Sequence, residues 1–186
     1  MPTAGHEVRA AFALWLTGLP ASGKSAIARA LLARLHGRGV DAAHLESDVL
    51  RTQVTPFPRY DDAERRLFYA AMTELGGFLC ERGVAVVFDA TGNLRALRDA
   101  ARMRIARFAE AYVDTPLEVC RARDPKGLYR AAAAGQAATL PGAQAPYEPP
   151  LAPEIVVAGA AATPERAAED IVAWLEQRGW LRHPPG

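Results

Sequence analysis

The run Gly18-Leu-Pro-Ala-Ser22-Gly23-Lys24-Ser25 fits the spacing G-x-x-x-x-G-K-[ST] in full. That spacing is suited to holding phosphate. Its glycines let backbone N–H groups turn inward and cradle anionic oxygens at a helix N-terminus, where the dipole also favours negative charge. Lys24 supplies a point charge to the β- and γ-phosphates of a nucleoside triphosphate, and the Ser25 hydroxyl a ligand for Mg²⁺. Gly18, Ser22, Gly23, Lys24 and Ser25 are thus the expected nucleotide-holding residues, with Ser25 on the metal.

Acids follow at two later places. Glu46-Ser-Asp48 comes just after an apolar run, and Asp89 ends the run Val84-Ala-Val-Val-Phe88. A carboxylate at the end of a strand can hold metal-bound water or accept the proton of an attacking hydroxyl. Asp48 is the expected catalytic acid/base group, Asp89 a metal-shell and substrate-side acid, and Glu46 a substrate-side acid. The bland alternative for each is a helix cap or turn residue. Arg51, Arg65, Arg95, Arg98, Arg121 and Arg123 fall in segments that should ring such a site, where planar guanidinium groups suit phosphate or sulfate. Arginine as a type carries little weight here, because 20 of the 22 cationic side chains are arginine. Phe57 and Tyr60 could stack on a purine or pack under their Pro-rich loop.

The elements that must position these groups follow from hydrophobic periodicity. Residues 12–16, 40–45, 84–88, 108–113 and 154–157 read as strands, and 25–35, 61–81 and 94–105 as helices. Thr163 caps a last helix with Pro164 at its first position, though Arg166 stands where a capping box needs an acid or amide. Strands alternating with helices predict an α/β fold, a three-layer P-loop sandwich whose parallel five-stranded sheet is flanked by helices. The stretch 115–153 breaks the rhythm with seven prolines and no long periodic segment, and is expected to be a lid. One domain, residues 1–186, accounts for the chain, with a frayed tail at Arg182-His-Pro-Pro-Gly186.

Composition removes several functions. At 186 residues and a net charge of +1 without a basic run, the chain does not read as a nucleic-acid binder. Its early apolar stretch, residues 10–17, is too short to span a bilayer and runs straight into the glycine loop, so it reads as neither a membrane segment nor a secretory leader. Cys80 and Cys120 are isolated, which points to a reducing cytoplasm and no zinc site. No Asn/Thr-Lys-x-Asp motif is present for guanine readout, since Lys126, the one lysine besides Lys24, lies in Asp124-Pro-Lys-Gly127. A small-molecule kinase using ATP fits the length and the lid.

The segment Val113-Asp-Thr-Pro-Leu-Glu-Val-Cys-Arg-Ala-Arg-Asp-Pro-Lys-Gly-Leu-Tyr129 resembles the strand-to-lid segment of the adenylyl-sulfate kinases, and Ala145-Pro-Tyr-Glu-Pro-Pro150 and Ala152-Pro-Glu-Ile155 continue it. Together with Trp15 to Ser25 the resemblance covers most of the chain. It implies transfer of the γ-phosphoryl group of ATP to the ribose 3′-hydroxyl of adenylyl sulfate, in a possible homodimer. It also implies a catalytic lid role for Lys126 and places Arg123 near the ATP base. The family's Asp-Gly-Asp-Asn-x-Arg reads here as Glu46-Ser-Asp48-Val-Leu-Arg51, which carries Asp48 and Arg51 over and makes Glu46 the longer acid. Arg65 carries over on the helix after the aromatic, and Arg95 and Arg98 keep their places as acceptor-side arginines.

Other acceptor-side positions differ. The family's asparagine and two arginines become Phe68-Tyr-Ala-Ala71, its Ser-x-Ile-Ser-Pro becomes Asp89-Ala-Thr-Gly-Asn93, and its lid phenylalanine becomes Leu140. Three functions remain open at this level. The first is an adenylyl-sulfate kinase, favoured on motif count. The second is a P-loop kinase of another hydroxyl acceptor, such as another activated nucleotide, a sugar or an antibiotic. The third is a nucleotide-binding regulator without catalysis, against which the intact Lys24, Ser25 and Asp48 speak.

Overall fold

The computed structural model describes residues 11–55, 57–136 and 139–181; the tail read as frayed, residues 182–186, lies outside them. Strands β1 (Ala13–Thr17), β2 (Ala42–Glu46), β3 (Ala85–Asp89), β4 (Phe108–Asp114) and β5 (Ile155–Ala158) form one sheet in the order β2-β3-β1-β4-β5. Every pairing is parallel. All the strands therefore end at the same edge. β1 lies between β3 and β4, where the chain order reverses, and open α/β sheets bind ligands outside the carboxyl ends at such a point.

Helices cover both faces because β1 and β3 are apolar on both. Leu14, Leu16 and Val87 point to one side, against Ile27, Leu31 and Leu35 of α1 (Lys24–His36) and Ile171, Val172 and Leu175 of α7 (Pro164–Gln177). Ala13, Trp15, Val86 and Phe88 point to the other, against Phe68, Tyr69 and Met72 of α3 (Asp62–Glu81) and Ala101 of α4 (Arg95–Arg104). The alternation is the period of two expected of a strand. Leu14, Leu16, Leu31 and Leu35 have no exposed surface. Each leucine so buried contributes about 1.5–3 kcal/mol. The Thr163 hydroxyl caps α7 by accepting the Arg166 backbone N–H at 3.2 Å.

Three short helices were not visible in the periodicity. α2 (Ser47–Val54) begins directly at the end of β2, so Glu46 is the last strand residue and Asp48 lies in a helical first turn, where a turn after the strand was expected. The stretch 115–153 contains α5 (Leu117–Arg123) and α6 (Leu128–Ala133), which corrects the reading of it as irregular. Six to eight residues make barely two turns, too few to establish a helical period. Cys120, Tyr129, Ala132 and Leu140 give this segment a small core, against which Leu19 and Ala21 of the β1–α1 loop pack. No described helix is long and apolar enough to cross a membrane.

Candidate active site

The loop between β1 and α1 is shaped by its glycines. Gly18 has φ 151° and Gly23, the residue before α1, has φ 110°, in the region where a side chain is strained. A Cβ on Gly18 would also stand 2.7 Å from the Val113 carbonyl oxygen. The first turn of α1 has no acidic residue and no side-chain cap; Ala26 and Ile27 donate to the Gly23 carbonyl, which leaves the N–H groups of Lys24 and Ser25 for a ligand. The buried Ser22 hydroxyl likewise has no hydrogen-bond partner. An anion at this helix end would satisfy these donors.

Lys24 is buried, and its Nζ donates to the carbonyl oxygens of Gly18 (3.0 Å) and Leu19 (2.8 Å). Burial lowers its pKa, with the negative charges of Asp89 and Asp48 opposing. The ammonium therefore rests on its own loop, in reach of a phosphate that would replace those carbonyls. Asp89, 3% exposed, ends β3 in register with Glu46 of β2. Burial would raise its pKa, but His44, the Ser25 hydroxyl and the charge of Lys24 outweigh it and hold the carboxyl below the usual range. Asp89 Oδ2 lies 3.5 Å from His44 Nε2, beyond a well-formed hydrogen bond, and neither atom has another partner. A hydroxyl and a carboxylate with an unpaired oxygen suit Mg²⁺, a hard cation.

Asp48, in the first turn of α2, meets the lid segment. Lys126 Nζ donates to Asp48 Oδ2 at 2.6 Å, joining residues far apart in the chain. The Asp48 hydrogen bond raises the Lys126 pKa, and Glu46 and Asp89 add to the effect. Lys24, Ser25, Asp48, Asp89 and Lys126 thus converge at one edge of the sheet, and Glu46 faces the same field. Arg123 braces the loop from behind, donating to the carbonyls of Ser22 (3.3 Å) and Gly159 (3.0 Å).

The remaining arginines have varied positions. Arg51 is buried against Glu64 (2.6 Å), its guanidinium 4.0 Å from the Phe68 ring centroid and 5.1 Å from that of Tyr60. Arg65 donates to the carbonyl of Thr139 at 3.0 Å, which ties α3 to the lid segment. Arg95 donates through its backbone N–H to Glu148 (2.8 Å) and through its side chain to the Pro149 carbonyl (3.2 Å). Arg98 does not ring the site. It is 1% exposed and tied to Glu110, to the Gly92 carbonyl and to the Glu148 carbonyl, so its charge is spent inside the fold. Arg121 faces a depression shared with Tyr129 and Arg130. Phe57 is 93% exposed and so does not pack under its loop; Tyr60, at φ 57°, is held by Glu64 accepting its N–H.

Sequence reasoning passed over His44 and Tyr147. His44 stands two residues before Glu46 on β2, hence on the same face, a spacing that would have marked it. The Tyr147 hydroxyl lies 3.2 Å from that of Thr17, the last residue of β1, and carries no local signal.

The family model described as adenylylsulphate kinase matches residues 10–158. The chain belongs to the adenylylsulphate kinase family. It is 36% identical to the adenylyl-sulfate kinase of Rippkaea orientalis over 92% of this chain and 94% of that one. Against the adenylyl-sulfate kinase of Shigella boydii it is 38% identical over 83% of this chain and 78% of that one. A solved structure of the Mycobacterium tuberculosis APS kinase in complex with AMPPNP and APS superposes with a TM-score of 0.85, at 30% identity, over 89% of this chain and 98% of that one. Within this family frame the replaced acceptor-side residues have taken structural places. Phe68 and Tyr69 are core residues, and the Tyr69 hydroxyl accepts the Gly92 N–H at 3.0 Å. Leu140 is buried in the lid segment's cluster, not presented for stacking.

Proposed function

We propose that this chain is an adenylyl-sulfate kinase, transferring the γ-phosphoryl group of ATP to the ribose 3′-hydroxyl of adenylyl sulfate and releasing ADP and 3′-phosphoadenylyl sulfate. The observation that carries this reading is the convergence of Lys24, Asp48, Asp89 and Lys126 at the carboxyl edge in a member of this family. Gly18, Ser22, Gly23 and the first turn of α1 bind the phosphates, Lys24 shifts from its loop carbonyls onto the β- and γ-phosphates, and Arg123 borders the base. Ser25 would hold Mg²⁺ with Asp89 in its outer shell, and the ion would supply positive charge to offset that of the phosphates. Glu46, Arg51, Phe57, Tyr60, Arg65 and Arg95 line the acceptor side.

Asp48 accepts the proton of the 3′-hydroxyl as its oxygen bonds to the γ-phosphorus and the bond to the β–γ bridging oxygen breaks. Lys126, released from Asp48, then faces the transferring oxygens. Phosphoryl transfer needs little beyond such positioning and neutralisation. The residues 115–153 act as the lid that excludes water within a single domain. The expected assembly is a homodimer in the cytoplasm; sedimentation at micromolar concentration, giving twice the chain mass of 20.0 kDa, checks the first.

The test is ADP release from Mg-ATP with and without adenylyl sulfate. Acceptor-dependent turnover of about 1–100 s⁻¹ is expected. The core-packed Phe68 and Tyr69 and the buried Leu140 favour a second reading, a kinase of a different hydroxyl acceptor. No acceleration above the ATP-only rate would overturn the first reading and call for a screen of nucleotide, sugar and antibiotic hydroxyls. ATP binding without turnover on any acceptor would leave the regulator.

A further inference from the structure

We infer that His44, Glu46 and Asp89 form a binding site for a borderline divalent cation, Zn²⁺ or Co²⁺, which the protein takes up without nucleotide. Glu46 and Asp89 also belong to the proposed kinase site, but uptake of this cation calls for neither nucleotide nor acceptor, so its failure and that of the kinase reading are read separately. His44 and Glu46 are two apart on β2 and so share a face of the sheet; Asp89 on β3 is the register partner of Glu46 and joins them from the next strand. One ligand atom from each lies within 4.8 Å of the other two. Ligands bound at about 2.0–2.2 Å stand roughly 3–4.3 Å apart across a metal, so the triad closes on an ion with small side-chain adjustments.

Two further features point to a ligand. Asp89 Oδ2 is buried without a hydrogen-bond partner and faces His44 Nε2, equally without one, at 3.5 Å. Buried polar atoms are seldom left so, and a cation between them would satisfy both. The nearby ammonium groups also make their direct contacts elsewhere. Lys24 Nζ is turned to the carbonyls of its loop and Lys126 to Asp48, so neither ammonium pairs with Glu46 or Asp89. One imidazole with two carboxylates selects a borderline cation over Mg²⁺, which prefers an all-oxygen shell and sheds water reluctantly. Three protein ligands leave room for water on the ion.

The test is titration of the metal-free, nucleotide-free protein with Co²⁺, followed by its visible absorption, and with Zn²⁺ by calorimetry. One equivalent is expected to bind, with His44→Ala and Asp89→Asn each weakening it at least about tenfold. His36, beside Asp41 on the surface, is the control: His36→Ala should bind as the parent does. Circular dichroism of each variant separates lost ligation from lost fold. Uptake insensitive to His44→Ala in a folded protein, uptake lost with His36→Ala, or no uptake at all would overturn the site.

Discussion

At the residue scale the donor side follows from spacing and the acceptor side does not. Under the proposed function Lys24 has one task, and its present partners are two carbonyls of its own loop that a phosphate would replace. Lys24→Ala is expected to lower acceptor-dependent ADP release at least about a hundredfold while the melting temperature stays near that of the parent. Asp48→Asn should leave ATP affinity unchanged, measured by nucleotide titration, and lower turnover by about 10²–10⁴. Near-normal turnover would remove Asp48 as the base. Asp89 adds a pH dependence of stability. Its carboxyl is held below its unfolded value, so it binds protons less readily when folded, and the stability it contributes is present above about pH 4. That contribution disappears as pH falls through the folded value. Thermal unfolding between pH 2.5 and 6 should show a shallower acid loss in Asp89→Asn.

That Gly18 to Ser25, Asp48 and Asp89 would meet at one edge was legible in the sequence, because a spacing or a strand end announces each. The place of Arg98 was not. Nothing local distinguishes an arginine facing a substrate from one buried against Glu110, which is contributed by a strand formed later in the chain. His44 was passed over for a related reason: its partners are on the same face of a sheet, visible only once a register is known.

At the element scale, the edge that holds the site depends on buried ties. Arg98 on α4 reaches Glu110 of β4 and the carbonyls of Gly92 and Glu148, joining helix, strand, loop and lid segment. Burial raises the Glu110 pKa even against the opposing charges of Arg98 and Arg102. Removing the arginine would leave that acid buried and unpaired. Arg98→Leu is expected to cost about 3–5 kcal/mol, read as a lower midpoint in urea. A second weak point is the contact of α3 with β3. A Cβ on Gly76 would sit 2.2 Å from Phe88 Cζ. Gly76→Ala should destabilise by about 1–3 kcal/mol or more, despite alanine's better helix propensity. Long apolar-striped helices such as α3 and doubly buried strands such as β3 declare themselves by period. The helices α2, α5 and α6 do not, being set by the elements they join and the small core they share.

At the scale of the whole molecule, the parallel order β2-β3-β1-β4-β5 brings every strand end to one edge. The alternation of strands and helices foretold the layers, yet not which strands neighbour β1, because that order is decided by which faces fit. The lid segment is fastened to this frame in two different ways. Around residues 146–148 it is tied by inward contacts: Asn93 to the Pro146 carbonyl at 3.0 Å, the Glu148 N–H to the Asn93 carbonyl at 2.7 Å, and Arg98 beneath. At Lys126 it is tied to Asp48 through side chains that are 56% and 66% exposed. Mobile ions screen such an exposed pair and leave buried ties largely alone. The Lys126–Asp48 pair is consequently the tie most sensitive to ionic strength, while part-buried ties such as the Tyr129 hydroxyl to the Pro20 carbonyl persist. Under the proposed function this pair holds the carboxylate that the acceptor hydroxyl needs, so raising salt is expected to ease the acceptor's access, read as a lower KM for the acceptor at unchanged ATP affinity.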